Sequence, residues 1–426
     1  MSTIKQLNRR SNLKPYRKVQ IKRRLDDSTG NYETSWKDVT DYIKSFGTVS
    51  WNLDTETIGV FTHSTMTLIG DNMLSAWADP TDSNSLFSGY QTRYKTLFKV
   101  IIGLIDDDET IIPSGGKNIF YGILTDDIVL QENEATLVIN SLTYVFEEQS
   151  ASALTLAGTD TAYDIATKVM AIQDNSGNNV FDRFITGSYA GTTTEIYPDV
   201  VGSSALESKN CWDVISRLCL AEDYCAYVDG EGSFRFTGKT SGTDIAWKFY
   251  GAGVYNEEYG VNIAEIRQSN HIWTKIKNKV VIEHTTGSFA VADVGTWQQG
   301  DSTTTDKYGE KILSFQEFWL GTNAVNLATQ LYNNYYEPKR EVNITSSTFN
   351  PELKLLDRVG VTYYGEPSTS STGIWGYSVF GSSWSDGVGL WTGNKGGIYL
   401  DNLSMNIIGI THDLDSFTSE FLLREV

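Results

Sequence analysis

Catalytic signatures are missing from this chain: it has no Gly-Lys-Ser/Thr phosphate loop, no paired-histidine zinc motif, no nucleophile-elbow pentapeptide and no dinucleotide fingerprint. Histidine is scarce, with His63, His271, His284 and His412 as the only four in 426 residues. So widely spaced in sequence, each reads as a strand or rim residue before it reads as a general base. The three cysteines, Cys211, Cys219 and Cys225, cannot all pair with one another, and their spacing fits no zinc pattern. They read as reduced and structural, Cys219 lying on a helix face that needs small apolar groups. Long hydrophobic runs are absent too. Nothing approaches the ~20 apolar residues of a membrane helix, and the basic N-terminal stretch is followed by no apolar signal-peptide core. A soluble product made in the cytoplasm is the expectation, with no cofactor and no enzymatic activity.

What the chain does have is aromatic side chains and glycine. There are 11 Trp, 23 Tyr, 18 Phe and 37 Gly against only 7 Pro, a balance that favours strands and tight turns over helix bundles. The length allows two to four compact units with real cores. From Lys14 to about Gln149 nearly every signal is strand and turn: Tyr16 to Leu25, Phe46 to Asp54, Tyr94 to Ile105, Ile119 to Leu124 and Ala135 to Phe146. Long strands separated by polar turns point to a sandwich or barrel. The middle changes character. Thr161 and Asp164 open a helix with a capping box, and Ile165, Val169 and Ile172 form its buried stripe. A second helix begins after Asn210 and leads through Asp229-Gly230-Glu231-Gly232 into a hairpin. Strands resume after Gly260. The fold class read from these patterns is mainly β with α+β insertions. The expected division is a basic arm over 1–14, a first β domain over 15–150, a small α+β domain over 151–250 and a second β domain over 251–426. The last carries a linker at 300–306 and an aromatic-glycine insertion at 369–397, and the domains are allowed to be discontinuous.

Charge is unevenly placed. The net charge is −19, yet residues 1–24 hold nine Lys or Arg and no acid, which leaves 25 basic and 53 acidic residues, or −28, for the rest. Opposite signs on arm and body suggest docking on an acidic neighbour or contact with nucleic acid, and Arg9, Arg10, Arg23 and Arg24 are the candidate contact residues. For residues 15–25 the interleaving of Tyr16, Val19 and Ile21 with bases fits a first strand with one solvated basic face. Carboxylates cluster at Asp106-Asp107-Asp108-Glu109, which reads as a hairpin tip; clustered oxygens there suit a hard cation, but the EF-hand spacing is absent. Such clusters carry no specificity for glycosidase chemistry in so acidic a chain. The segment Trp375 to Gly393 repeats aromatic residues and glycine. Its Trp375, Trp384 and Trp391 could stack on sugars or anchor a protein partner, or pack on their own domain as a hairpin extension.

Three features in the last half carry a family resemblance. One is the amphipathic helix followed by an Asp-Gly hairpin, Trp212 to Phe236. Another is the helix Asn323 to Tyr336, stopped by Pro338 and followed by strands ending in Leu356-Asp357-Arg358-Val359-Gly360-Val361. The last is the terminal pair Ile407 to Leu414 and Phe417 to Leu423. In these the chain resembles bacteriophage tail hub proteins of baseplates and tail tips. The resemblance implies tandem tail-tube-like β-barrel domains decorated by smaller α+β domains. It implies three copies in a ring that adapts a sixfold tube to a threefold tip in the virion tail. The partners would be a distal tail or tube protein and a spike, fibre or tape-measure protein, with DNA passing through the lumen. The aromatic-glycine insertion has no place in that pattern, and a receptor- or carbohydrate-binding tail protein using it is the competing reading.

Overall fold

The computed structural model describes residues 14–25, 31–53, 64–90, 93–174, 176–185, 206, 209–222, 224–238, 244–251, 254, 256, 258–269, 276–284, 288–293, 309–316, 324–336, 339–347, 349–364, 398 and 400–426. Arg9, Arg10, the linker at 300–306, the insertion at 369–397 and its Trp375, Trp384 and Trp391 lie outside the described residues.

The first part of the chain supplies β1 (Lys14–Lys22), β2 (Lys37–Asp38), β3 (Ile43–Ser45), β4 (Thr48–Asn52), β5 (Thr65–Asp71), β6 (Leu97–Ile105), β7 (Ile111–Leu124), β8 (Val129–Leu130) and β9 (Glu134–Ser141). Alternation along these strands decides which side chains go inward. Phe98, Val100, Ile102 and Leu104 of β6 meet Met66 and Leu68 of β5, Leu137 and Ile139 of β9, and Val19 and Ile21 of β1 in one buried core. The strands follow the order β4-β5-β9-β7-β6-β1-β2. This run curls. At its far end Arg17 of β1 donates to the Asp415 carbonyl at 2.9 Å, and its guanidinium lies over Phe46 and Phe417, beside the start of β4.

The strand expected to run to Phe146 stops at Ser141, and α1 (Thr143–Glu148) begins instead. Leu142, Val145 and Phe146 share one helical face and are all buried, a spacing of three and four that a strand would have split between two faces. Then come α2 (Ala162–Met170), α3 (Cys211–Glu222), β10 (Tyr224–Val228) and β11 (Phe234–Gly238). The expected capping box forms: the Thr161 hydroxyl accepts from Asp164 N at 3.2 Å while the Asp164 carboxylate accepts from Thr161 N at 2.9 Å. Asn210 and Asp213 make the same reciprocal pair at α3.

The rest comprises β12 (Ile245–Tyr250), β13 (Ile263–Ser269), β14 (Lys279–His284), β15 (Ser288–Asp293), β16 (Ile312–Gln316), α4 (Ala324–Tyr335), β17 (Glu341–Ser346), β18 (Arg358–Tyr363), β19 (Leu400–Asp413) and β20 (Thr418–Glu425). Strands β14–β16 form a separate sheet, with β14 between the other two. A second core gathers Phe146, Phe181, Phe234 and Phe236 with α2–α4 and the inner faces of β17–β20. Strand β7 is shared: Phe120 and Leu124 point into the first core, Tyr121 and Ile123 into the second.

Strand β19 joins the two regions. Its first half pairs with β18, its second half with β4 from Gly409↔Asn52 to Asp413↔Thr48, and β20 follows it along most of its length. The register shifts between Ile407 and Gly409. Glycine is needed there because a Cβ would come within 2.4 Å of the Asn52 side-chain oxygen and 3.1 Å of Leu422. The fold is mainly β, a large, mostly antiparallel sheet with few helices.

Candidate partner-contact site

The basic residues in and just after β1 are bound within the first β region. Lys18 pairs with Asp38 at 3.1 Å, and Lys22 lies over the Trp36 ring. Arg23 is enclosed: its Nε donates to Glu33 at 2.8 Å, its other nitrogens reach Glu33 and the Leu86 carbonyl, and Tyr90 stacks 3.9 Å from its guanidinium. Burial would raise the Glu33 carboxyl, but the hydrogen bonds from Arg23 and Tyr90 outweigh it and hold the pKa down at about 2. Of the four arginines singled out in the sequence, Arg23 and Arg24 are thus placed at the end of β1. Arg24 lines a pocket of ≈ 160 Å³ with Tyr32, Lys95, Glu148, Arg183 and Phe184, and its buried Nε has no hydrogen-bond partner among the described residues.

A second cluster lies on the seam between the regions. Trp51, Ile119, Tyr227, Pro351, Leu353, Leu355, Ile410 and His412 line a small apolar pocket of ≈ 70 Å³, with Lys117, Asp229 and Glu231 at its edge. Lys117 of β7 forms an ion pair with Glu231 in the β10–β11 turn. The turn itself is pressed onto β7: a Cβ on Gly230 would come within 2.5 Å of the Asn118 carbonyl. Of the two glycines read as turn formers, Gly232 has the positive φ of 83°, whereas Gly230 is required by this close approach.

His412 could suggest chemistry, since its Nδ1 lies 2.8 Å from the Ser419 hydroxyl. Both residues are sealed, however, at 2% and 1% exposure, and Trp51, Phe349 and Phe421 surround the imidazole. Burial lowers its pKa to about 3, so the ring is neutral and the pair is a structural hydrogen bond. The cysteines form no disulfide and are buried; burial pushes the Cys211 thiol up to about 12. Asp106 turns its carboxylate onto the amides of Asp108 and Thr110 at 3.0 and 2.9 Å, as a hairpin tip would. Among the described residues no group of three or more His, Cys, Asp or Glu could hold a metal ion, and no helix is long and apolar enough to cross a membrane.

Sequence reasoning missed Asp415. It accepts from Phe46 N at 2.9 Å and Gly47 N at 3.2 Å and from the Ser45 hydroxyl, so it fixes the closing hairpin to the first β region. Burial acts to raise its pKa, but these hydrogen bonds and the Arg17 charge bring it below the usual carboxylate range. The two residues between Leu414 and Phe417, Asp415 and Ser416, are polar as a turn requires; nothing local tells what the turn grips.

No protein-family model matches the sequence, and no curated protein matches it. Solved structures do. A tail protein from Neisseria meningitidis MC58 superposes with a TM-score of 0.56 at 10% identity, covering 96% of each chain. A chain of the lidless PdpA-VgrG complex gives 0.51 at 9% identity over 97% of this chain and 66% of its own length. A chain of the lidded Francisella PdpA-VgrG complex gives 0.50 at 10% identity, over 98% and 53%. Identity this low speaks for the fold, and the chain shares the mainly β fold of the Neisseria tail protein along almost its whole length.

Proposed function

We propose that this chain is a structural, non-enzymatic component of a phage tail: a hub at the tail tip that joins the tube to a central spike or fibre and surrounds the DNA path. The observation that carries this is the likeness to a tail protein over 96% of both chains. So little of either chain falls outside the shared architecture that a separate catalytic unit has almost no room. In this proposal the copies form a homotrimeric ring of paired β-barrels that contacts a distal tail or tube protein on one side and a spike, fibre or tape-measure protein on the other. The arm, the first β domain, the small α+β unit and the second β domain keep the boundaries given above. Trp375, Trp384 and Trp391 serve as a peripheral contact element. Arg9, Arg10 and Arg24 face partners, with Arg23 fixing the arm's root through Glu33.

Electron microscopy of assembled virions carrying a labelled copy tests the proposal, together with quantitative mass spectrometry of purified tails. The expected result is label confined to the tail tip at three copies per particle. Label spread along the tube, or at the ends of side fibres, would overturn the hub assignment and favour a tube or receptor-binding role.

A further inference from the structure

We infer that a cleft at one end of the first β region receives the basic arm of a second copy of this chain; the inference rests on the ring-forming reading above. The cleft, ≈ 500 Å³, lies where β7 ends and the chain enters β6, and is lined by Asp79, Tyr90, Arg93, Tyr94, Asp126 and Asp127 among others. Its charges are unequal. Arg93 is spent on the Trp77 carbonyl at 3.1 Å, and Asp79 caps its own turn through Thr81. Asp126 and Asp127 have no salt-bridge partner among the described residues, and their loop leads into β8. There Val129 and Leu130 are 58% and 42% exposed, and among the described residues β8 pairs with β9 alone.

Carboxylates that form no salt bridge among the described residues, beside an exposed, apolar strand edge, suit an extended segment that alternates basic and aliphatic side chains. Carboxylates pair with its cations, and a strand edge offers backbone hydrogen bonds. Residues 1–13 have that composition: Lys5, Arg9 and Arg10 among Ile4, Leu7 and Leu13, with no acid.

Topology favours a second copy over the same one. Strand β1 runs from Lys14, opposite Ile105, to Lys22, opposite Leu97. The cleft is at the Leu97 end, so the arm's point of attachment, at the opposite end of β1, is roughly 26 Å away along the strand. A donor at one end and an acceptor at the other make a head-to-tail contact, the heterologous kind that closes into rings when the rotation permits.

A charge exchange in the full-length protein tests this, read as self-association by multi-angle light scattering over a range of salt. Lys5→Glu/Arg9→Glu/Arg10→Glu and, separately, Asp126→Asn/Asp127→Asn should each weaken association roughly tenfold at about 0.1 M salt, with the difference fading near 1 M. The arm reversal combined with Asp126→Lys/Asp127→Lys should restore it. Carbodiimide coupling of mixed light and heavy-isotope protein should join Lys5 of one copy to Asp126 or Asp127 of another. An oligomer indifferent to the Asp126/Asp127 variants, an exchange that fails to restore association, or coupling only within one copy overturns the inference and leaves the ring reading standing. A wild-type chain that stays monomeric both in solution and in assembled tails overturns both.

Discussion

Around the first core, the structure ties polar groups into the frame of the sheet: Arg23 to Glu33 and the Leu86 carbonyl, Asp415 to the amides of Phe46 and Gly47, Thr40 to Val19. Around the helices of the second, large apolar rings predominate. Phe146 stacks on Phe181 at 4.4 Å and tilts against Phe234 at 5.0 Å and Trp212 at 6.2 Å. The contrast follows from the way each region is built. A curled sheet must bring strand ends together from distant parts of the chain, and directional bonds set where those ends meet. Helices packed on a sheet need matching volume more than direction. Strand β19 belongs to both systems, so damage to either should be transmitted through it.

The largest effect is expected from removing a ring in the second region. Phe146→Ala deletes a fully buried side chain that contacts three others, and should cost about 3–5 kcal/mol. Urea unfolding followed by tryptophan fluorescence would measure it, with hydrogen exchange showing which strands open. Loss confined to α1–α3 and β10–β11, with β1, β5 and β6 still protected, is the expected pattern. Simultaneous opening of β1 and β6 would mean the two cores act as one and the contrast is only apparent.

The features legible in the sequence belong to the same contrast. Thr161 with Asp164 announced α2, the alternation of Val19 and Ile21 announced β1, and Phe417 to Leu423 announced the last strand, because each signal lies within one element. The pairing of β4 with β19 joins residues about 360 positions apart, and no local pattern encodes it. Likewise Arg23 read as a contact residue by composition alone, since the sequence cannot show Glu33 and Tyr90 closing over it. Helix α1 was hidden by its content: Thr143, Tyr144, Val145 and Phe146 all favour strands, and the packing of Val145 and Phe146 overrides that preference.

Acid should separate the regions at a smaller scale. His412, with a pKa of about 3 in the fold against 6.5 unfolded, favours the native state at neutral pH, and that contribution declines as pH falls from 6.5 toward 3. Glu33 adds loss in the same direction, from about 4.5 down through about 2, and Asp415 does so below its ordinary carboxylate range. Asp357, near the start of β18, has the opposite sign. Burial raises its pKa despite its bond to Lys354 N, so its stabilising contribution is present at low pH and is lost as pH rises through the raised value. His412→Phe should therefore flatten the decline in urea midpoint between pH 6.5 and 4.5, at a cost of about 1 kcal/mol at pH 7 for the orphaned Ser419 hydroxyl. An unchanged slope would place the acid sensitivity elsewhere.

The smallest effect should come from an ion pair on the seam, and its size decides whether shape or charge holds the regions in register there. Lys117 and Glu231 bridge β7 and the β10–β11 turn, but the Glu231 side chain is 50% exposed. The hydrogen bond from Lys117 lowers the Glu231 pKa, and water screens much of that gain at such exposure. Gly230 meanwhile brings the turn into backbone contact with Asn118 and Ile119 whatever the charge of its neighbour. A double-mutant cycle of Lys117→Ala and Glu231→Ala should give a coupling of about 0.2–1 kcal/mol, shrinking in about 1 M salt. A coupling above about 2 kcal/mol that survives salt would show that the pair is desolvated in solution, and that polar anchoring, the habit of the first core, extends across the seam into the second.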